Sequence, residues 1–396
     1  MNLTIDERTR ALREIVRALG REQLRPLGLD CDARGAPLDP EHPFFARVTA
    51  LGIGGRGLAG LAEEPGGEDK AGGRTRTGAR RAVVLAEEAA YWDRGMATSL
   101  PGPGLASAPV RLFGTPEQQK RWLGIFEDRS RPRWAAFAMT EPGAGSDVAR
   151  IRTTARRVDG GWQIDGEKMF ISNGARASWV VVFATVDANL GRAGHRAFVV
   201  ERGTPGFSVA RIEKKMGLAA SETASLVFEG MRVPDDQLLG GEHGYSNREG
   251  FKLAMRTFDI TRPVVGAMAV GIGQAALDRA REMGVPCAAK LRRARRVLET
   301  ARLLCWHAAY LADLRKPNSV EAATAKAYAP RAALEAVSLC IEAAGPAGVL
   351  RDRLLEKLFR DVKVLDIVEG TGQIQRLVMA RRLLGFEDAA AVAASA

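Results

Sequence analysis

The chain has 396 residues, of which 46% are hydrophobic, 6% aromatic and 27% charged, enough apolar material for two or three packed layers or domains. Its formal charge is +11, but 58 basic residues are mixed with 47 acidic ones and aromatics are sparse, which argues against a nucleic-acid partner and suits a small polyanion equally well. Cys31, Cys287, Cys305 and Cys340 lack CxxC spacing and His42, His195, His243 and His307 form no ligand pair, so no metal site and a reducing compartment are expected.

The first eight residues carry no basic-then-apolar leader, and no apolar run reads as long enough to cross a membrane; a cytoplasmic protein without membrane insertion is expected. Ile5, Leu12, Ile15, Val16, Leu19 and Leu24 fall on one side of an amphipathic helix predicted over 4–27, which Pro26 helps to end. A short helix follows over 43–51. The stretches 52–60 and 63–78 are rich in glycine, the second also in charge, and read as loops. Helix returns over 82–91, the small residues of 96–105 suit a cavity lining, and Thr115 caps a helix that Pro116 opens and that runs to Phe126.

From Trp134 the apolar period changes to two. Alternation over 134–139, 153–158, 162–164, 179–184, 197–200, 207–210 and 226–228 predicts strands. Helical spacing resumes over 251–255, 263–283, 288–314, 320–343 and 351–365. The order predicts an α+β multidomain chain with an N-terminal helical domain (1–132), a middle antiparallel β domain (133–240) and a C-terminal helical bundle (241–396).

Three stretches carry candidate chemistry. Asp366-Ile-Val-Glu-Gly-Thr-Gly-Gln-Ile-Gln-Arg376 falls between helical patterns, with Glu369 at its centre. The apolar neighbours Ile367 and Val368 would raise the pKa of that carboxyl, which suits a general base. Gly370 and Gly372 offer backbone freedom and a bare wall for a flat ligand, beside the polar groups of Thr371 and Gln373. The commoner meaning of such a stretch is a helix N-cap with a solvated acid. Phe137-Ala-Met-Thr-Glu-Pro-Gly-Ala-Gly-Ser-Asp147 is a strand entering a turn rich in N–H groups and hydroxyls, suited to a cofactor's polar edge or phosphates, or simply a β-turn. Gly166-Glu-Lys-Met-Phe-Ile-Ser-Asn-Gly174 places Phe170 and Ser172 on one strand face, a ring and a hydroxyl for a flat heterocycle, or else a core Phe with an exposed Ser.

Together with Gly250-Phe-Lys-Leu-Ala-Met-Arg-Thr-Phe-Asp-Ile-Thr-Arg-Pro263 and Val368-Glu-Gly-Thr-Gly-Gln-Ile-Gln-Arg376, these blocks resemble the acyl-CoA dehydrogenase family from near residue 5 to near residue 385. The block at 250–263 is most similar to short- and medium-chain members. The resemblance implies an FAD flavoprotein with a C-terminal four-helix bundle, usually a homotetramer. It implies α,β-dehydrogenation of an acyl thioester in fatty acid or polyketide metabolism, on acyl-CoA or an acyl-carrier-protein substrate, with an electron-accepting flavoprotein as partner. Glu369 matches the catalytic base. Phe137, Met139 and Thr140 would meet the flavin's polar edge, Ser146 would lie near the pyrophosphate and acyl carrier, and Phe170 would stack near the ring. Ser172 would hydrogen-bond flavin N5, Gly370, Thr371, Gly372 and Gln373 would contact FAD, and Asp259 and Arg262 would lie along the acyl-CoA channel.

The sequence departs from that family where a neighbouring subunit's FAD phosphates would be held. An Arg-x-Gln-Phe-Gly segment is absent, because Arg279-Ala-Arg-Glu-Met-Gly-Val-Pro286 runs directly into Cys287-Ala-Ala-Lys-Leu-Arg-Arg-Ala-Arg-Arg296. Ser338 or Glu342 stands where the family has Gln, and Glu342 is expected to repel a pyrophosphate; Ala219 replaces an Arg. One explanation is a homo-oligomer, dimer or tetramer, that holds FAD through Arg292, Arg293, Arg295 or Arg296, although such a run also reads as a solvated face. A hetero-oligomer with a related subunit, a non-catalytic subunit, and a flavin oxidase or monooxygenase on the same fold are the alternatives.

Overall fold

The helical periods at both ends of the chain fold as helices, and the period-two region between them folds as one sheet. The computed structural model of the chain describes residues 4–53, 77–245 and 249–386, without side chains over 249–258. Most of the glycine-rich stretches predicted as loops, and the side chains in the first part of the 250–263 block, lie outside the described residues.

The N-terminal region opens with α1 (Glu7–Leu19), a π-helical turn (Gly20–Leu24) and α2 (Arg25–Arg34). Pro26 therefore does not end the first helix. The π turn, closed by the Arg25 N–H donating to the Gly20 carbonyl, absorbs the register change before Pro26, which sits in the first turn of α2 where its missing N–H is harmless. Gly35, at φ 65°, provides the stop. Next come α3 (Pro43–Ala50) and α4 (Gly78–Ser99). Asp93, at φ −163° and ψ 113°, kinks α4, and its carboxylate accepts from the Met96 N–H at 2.8 Å, which re-caps the helix beyond the kink. Helix α5 (Ser107–Phe113) precedes α6 (Pro116–Gly124), which starts with a capping box between Thr115 and Gln118.

Seven strands follow: β1 (Ala135–Ala138), β2 (Thr154–Val158), β3 (Gly161–Ser172), β4 (Trp179–Thr185), β5 (His195–Glu201), β6 (Phe207–Ile212) and β7 (Thr223–Pro234). The sheet is mixed rather than purely antiparallel. β1 runs parallel to β4, with Ala135 opposite Trp179, because the long excursion through β2 and β3 gives the chain room to cross over before β4. Val180 and Val182 of β4 face one apolar core with Ile164, Phe198 and Leu226, while Trp179, Val181 and Phe183 face another with Trp122 and Phe126. Burial of both faces explains why β4 is continuously apolar.

The C-terminal bundle is built from α7 (Glu249–Glu282), α8 (Ala288–Asp313), α9 (Ser319–Ala344) and α10 (Leu355–Lys363), followed by α11 (Gly372–Leu383). Pro263 lies inside α7, so the two helices predicted at 251–255 and 263–283 are one. Contrary to the sequence reading, Asp259–Glu282 and Ser319–Val349 are long and apolar enough to satisfy a membrane-span criterion, each with mean hydropathy 1.3. The first lies mostly inside the bundle, and alanine rather than bulky aliphatic residues dominates the second. Glycine lets α4 lie hard against α7: a Cβ at Gly271 would overlap the Glu87 carbonyl.

Candidate active site

The break between α10 and α11 positions Glu369. A 3-10 turn (Val364–Asp366) follows α10, and the Ile374 N–H donates to the Thr371 hydroxyl at 3.3 Å to start α11. Between them Glu369, at φ 54°, and Gly370, at φ 89°, are left-handed, a strained conformation for a glutamate. The Gln375 amide donates to the carbonyls of Glu369 (3.3 Å) and Gly370 (3.0 Å), and the Lys326 ammonium donates to the Gly370 carbonyl at 3.1 Å.

The solvated-acid alternative fails at the carboxyl itself. Oε2 of Glu369 is buried without a hydrogen-bond partner. Burial pushes the group above the ordinary glutamate range, opposed by the Thr261 hydroxyl and by the charges of Lys326, Arg94 and Arg262. The expected cause is corrected, however: Ile367 and Val368 are exposed, and the carboxyl is enclosed by α4, α7 and α9 instead. The cations bear the same desolvation. Arg94 is brought down to about 10 and Lys326 to about 8, while Arg262 is lowered and pairs with Asp259 at 2.7 Å. Arg262 thus faces Glu369, with Asp259 paired to it on the same helix. Gly370 has no room for a Cβ because the Gln375 amide fills that space, and Gly372 is buried against Asp366, so the two glycines serve chain packing as well as any ligand. Gln373 is exposed on α11.

The middle-domain candidates gather around β1 and β3. The ring of Phe170 is 57% exposed and Ser172 is also exposed, so they share the open side of β3 despite a bulge at Phe170, which is left-handed at φ 60°. The Met139 side chain packs inside the core, leaving only its main chain for a ligand, and its carbonyl accepts from the buried Lys168 ammonium at 3.0 Å. The Thr140 carbonyl accepts from the Met169 N–H at 2.8 Å, which ties the 137–140 segment to β3. Lys168 also pairs with Glu141 at 2.7 Å, and Glu141 accepts from the N–H groups of Arg152 and Thr153, which shapes the turn that carries the exposed Ser146. Phe137 packs on Phe183, with ring centroids 5.1 Å apart. The end of β3 reaches α4, where the Asn173 amide donates to the Thr98 carbonyl at 3.1 Å, four residues from Arg94.

Models of the acyl-CoA dehydrogenase N-terminal, middle and C-terminal domains match residues 6–126, 136–231 and 287–384. The chain is 35% identical to the short-chain specific acyl-CoA dehydrogenase, mitochondrial, of Bos taurus over 409 aligned residues, covering 97% of this chain and 92% of that protein. The chain belongs to the acyl-CoA dehydrogenase family. Accordingly it is an oxidoreductase, and the family's cofactor is FAD. It is also 34% identical to an acryloyl-CoA reductase (NADH) of Anaerotignum propionicum, covering 97% of this chain and 96% of that one. Butyryl-CoA dehydrogenase from Megasphaera elsdenii superposes with a TM-score of 0.84 at 30% identity, covering 97% of this chain and all of that one.

The chain departs less from its family electrostatically than its sequence suggests. Glu342 is ion-paired with Lys290 at 2.7 Å, so it is not a bare charge facing a phosphate. Arg293 and Arg295 are engaged by Glu335 (2.7 Å) and Glu299 (2.6 Å) on an exposed face, as the solvated-face interpretation has it. Sequence reasoning missed Arg94, Thr261, Lys326 and Gln375. Lys326 offered a signal, a lone cation whose helical spacing places it with Ala322, Ala329 and Ala333 on an apolar face.

Proposed function

We propose that the chain dehydrogenates a short acyl thioester at its α and β carbons, with Glu369 taking the α proton. The Glu369 carboxyl carries this conclusion: it is desolvated, raised in pKa, unpaired at Oε2 and held on a left-handed backbone. Such outliers cluster where a ligand or a reaction uses them. The residues present fit a flavin, since Phe170 and Ser172 offer an exposed ring and hydroxyl on one side of β3 and Ser146 stands exposed on the neighbouring turn.

FAD, when bound, supplies the acceptor for the β hydride. Phe170 and Ser172 would hold its ring, the main chain of Phe137, Met139 and Thr140 its polar edge, Ser146 its phosphates, and Gly370, Thr371, Gly372 and Gln373 its other side. Glu369 receives the α proton, and its raised proton affinity makes that transfer less uphill. Arg94, Arg262 and Lys326 keep the carboxyl ionisable in spite of its burial. The backbone N–H of Glu369 would stabilise charge on the thioester oxygen. The Asp259–Arg262 pair would border the acyl-CoA or carrier-protein arm, and electrons would pass to an external flavoprotein. With Glu342 ion-paired to Lys290, its charge does not argue against cofactor retention.

Anaerobic titration with butyryl-CoA should bleach the flavin bands of the purified protein. Glu369→Gln should stay yellow and turn over slower by about 10²-fold or more; a fully active variant sinks the assignment. The similarity to an acryloyl-CoA reductase supports a second reading, in which the same site runs towards reduction and protonated Glu369 returns the α proton. Reoxidation of the reduced protein by acryloyl-CoA at a rate exceeding butyryl-CoA bleaching would favour it.

A further inference from the structure

We propose that Lys326 is a positioning residue for Glu369: its ammonium fixes the carbonyl just after the base and faces the carboxyl with a positive charge. The inference rests on the dehydrogenase reading above. Lys326 lies midway along α9, 0% exposed, among Ala322, Ala323, Ala325, Ala327 and Ala329. Burying an ammonium is costly, and the ordinary remedy is a carboxylate partner. Lys168 has Glu141 and Lys357 has Asp93, each at 2.7 Å. For Lys326 the hydrogen bond goes instead to the Gly370 carbonyl at 3.1 Å. The chain thus places a desolvated charge on a main-chain atom adjoining its base.

The consequences for geometry are local. The Gly370 carbonyl receives two donors, Lys326 from α9 and Gln375 from α11, and the same Gln375 amide also reaches the Glu369 carbonyl. Of the two peptide units after the base, the second is therefore held from two elements and the first from α11 alone. Glycine at 370 resists distortion poorly, so losing the ammonium frees Glu369 to leave φ 54° for an ordinary backbone conformation. The charged groups that face Lys326 are Asp366 and Glu369 from the loop and Arg262 from α7, and Arg94 of α4 also faces Glu369. Burial brings Lys326 down to about 8, opposed by Asp366 and Glu369, so near neutral pH it is mostly charged.

Lys326→Met and Lys326→Gln, purified with FAD, test the inference, the second keeping a donor while losing the charge. Wild-type bleaching by butyryl-CoA is measured first; its absence overturns the dehydrogenase reading and this inference with it. Given wild-type bleaching, Lys326→Met should retain flavin and a KM within about threefold, lose kcat by about 10- to 100-fold, and move the acid limb of the kcat profile upward by about one pH unit, the effect of removing a nearby opposite charge. Lys326→Gln should recover part of kcat but keep the displaced limb. A crystal structure of either variant should show Glu369 and Gly370 moved from their left-handed conformation. Unchanged kcat and limb in Lys326→Gln, or a loss of kcat in both variants that only tracks lost flavin, overturns the proposal while leaving the dehydrogenase reading intact.

Discussion

Glu369 holds its proton more tightly in the folded protein than in the unfolded chain, and this has opposite consequences for rate and stability. Turnover needs the carboxylate, so kcat should rise with pH through an acid limb above the ordinary glutamate range, measurable as a stopped-flow profile of flavin reduction. Stability moves the other way. A raised carboxyl disfavours the fold above its folded pKa, and the penalty vanishes once pH falls below the unfolded value, where both states are protonated. Glu369→Gln should therefore melt higher than wild type at neutral pH, with the difference closing as pH falls through that window; equal midpoints at pH 7 would contradict the burial of the charge. At this scale the sequence points to Glu369 but not to its environment. Gly370-Thr-Gly after an acid is a local signal, whereas Arg94, Thr261 and Lys326 come from three helices far apart in the chain and meet only through tertiary packing. The expectation that Ile367 and Val368 raise the carboxyl's pKa fails because both face solvent, whereas Oε2 of Glu369 is buried among residues from other helices.

Elements were legible wherever one period dominated. Alternation predicts all seven strands, but β3 and β7 are each 12 residues long where it predicts only short cores. Gly166 and the bulge near Phe170 interrupt the β3 pattern without ending the strand. Proline misleads twice: Pro26 predicts a helix end and Pro263 a helix start, while a π turn and the long α7 accommodate them. The contact of α4 with α7 was invisible, because a glycine inside a helical pattern gives no sign of what lies against it. Gly271→Ala tests that contact. The Glu87 carbonyl cannot yield without moving the helix that carries Arg94, so the substitution should cost about 1–3 kcal/mol by denaturant melts and lower kcat through the displaced site. A wild-type melting curve in the variant would show the helices able to separate freely.

The three regions of the molecule meet at one buried ion cluster behind the site. Lys357 of α10 pairs with Asp361 one turn on and with Asp93 at the kink of α4 at 2.7 Å, and Asp361 accepts from the Leu218 N–H of the sheet domain at 2.6 Å. Helical bundle, N-terminal helices and sheet are thereby joined through one ammonium and two carboxylates, next door in sequence to Arg94. Burial pushes Asp361 up, whereas Lys357, also desolvated, is driven upward overall by its two acids. The Lys357 contribution is accordingly complete below the unfolded lysine value and is lost only as pH rises through the higher folded one. Lys357→Met leaves both carboxylates buried without their cation, a change that costs about 3–5 kcal/mol when one partner of a buried pair is removed. Asp361, already pushed up by burial, can escape the penalty by taking up a proton, so the deficit in thermal midpoint should be largest between neutral pH and the unfolded lysine value and shrink as pH falls. A pH-independent deficit would mean that Lys357 contributes packing alone. Because Asp93 sets the kink that delivers Arg94 to Glu369, the variant should also lose kcat at temperatures well below its own melting point, and a fully active variant would uncouple the cluster from the site.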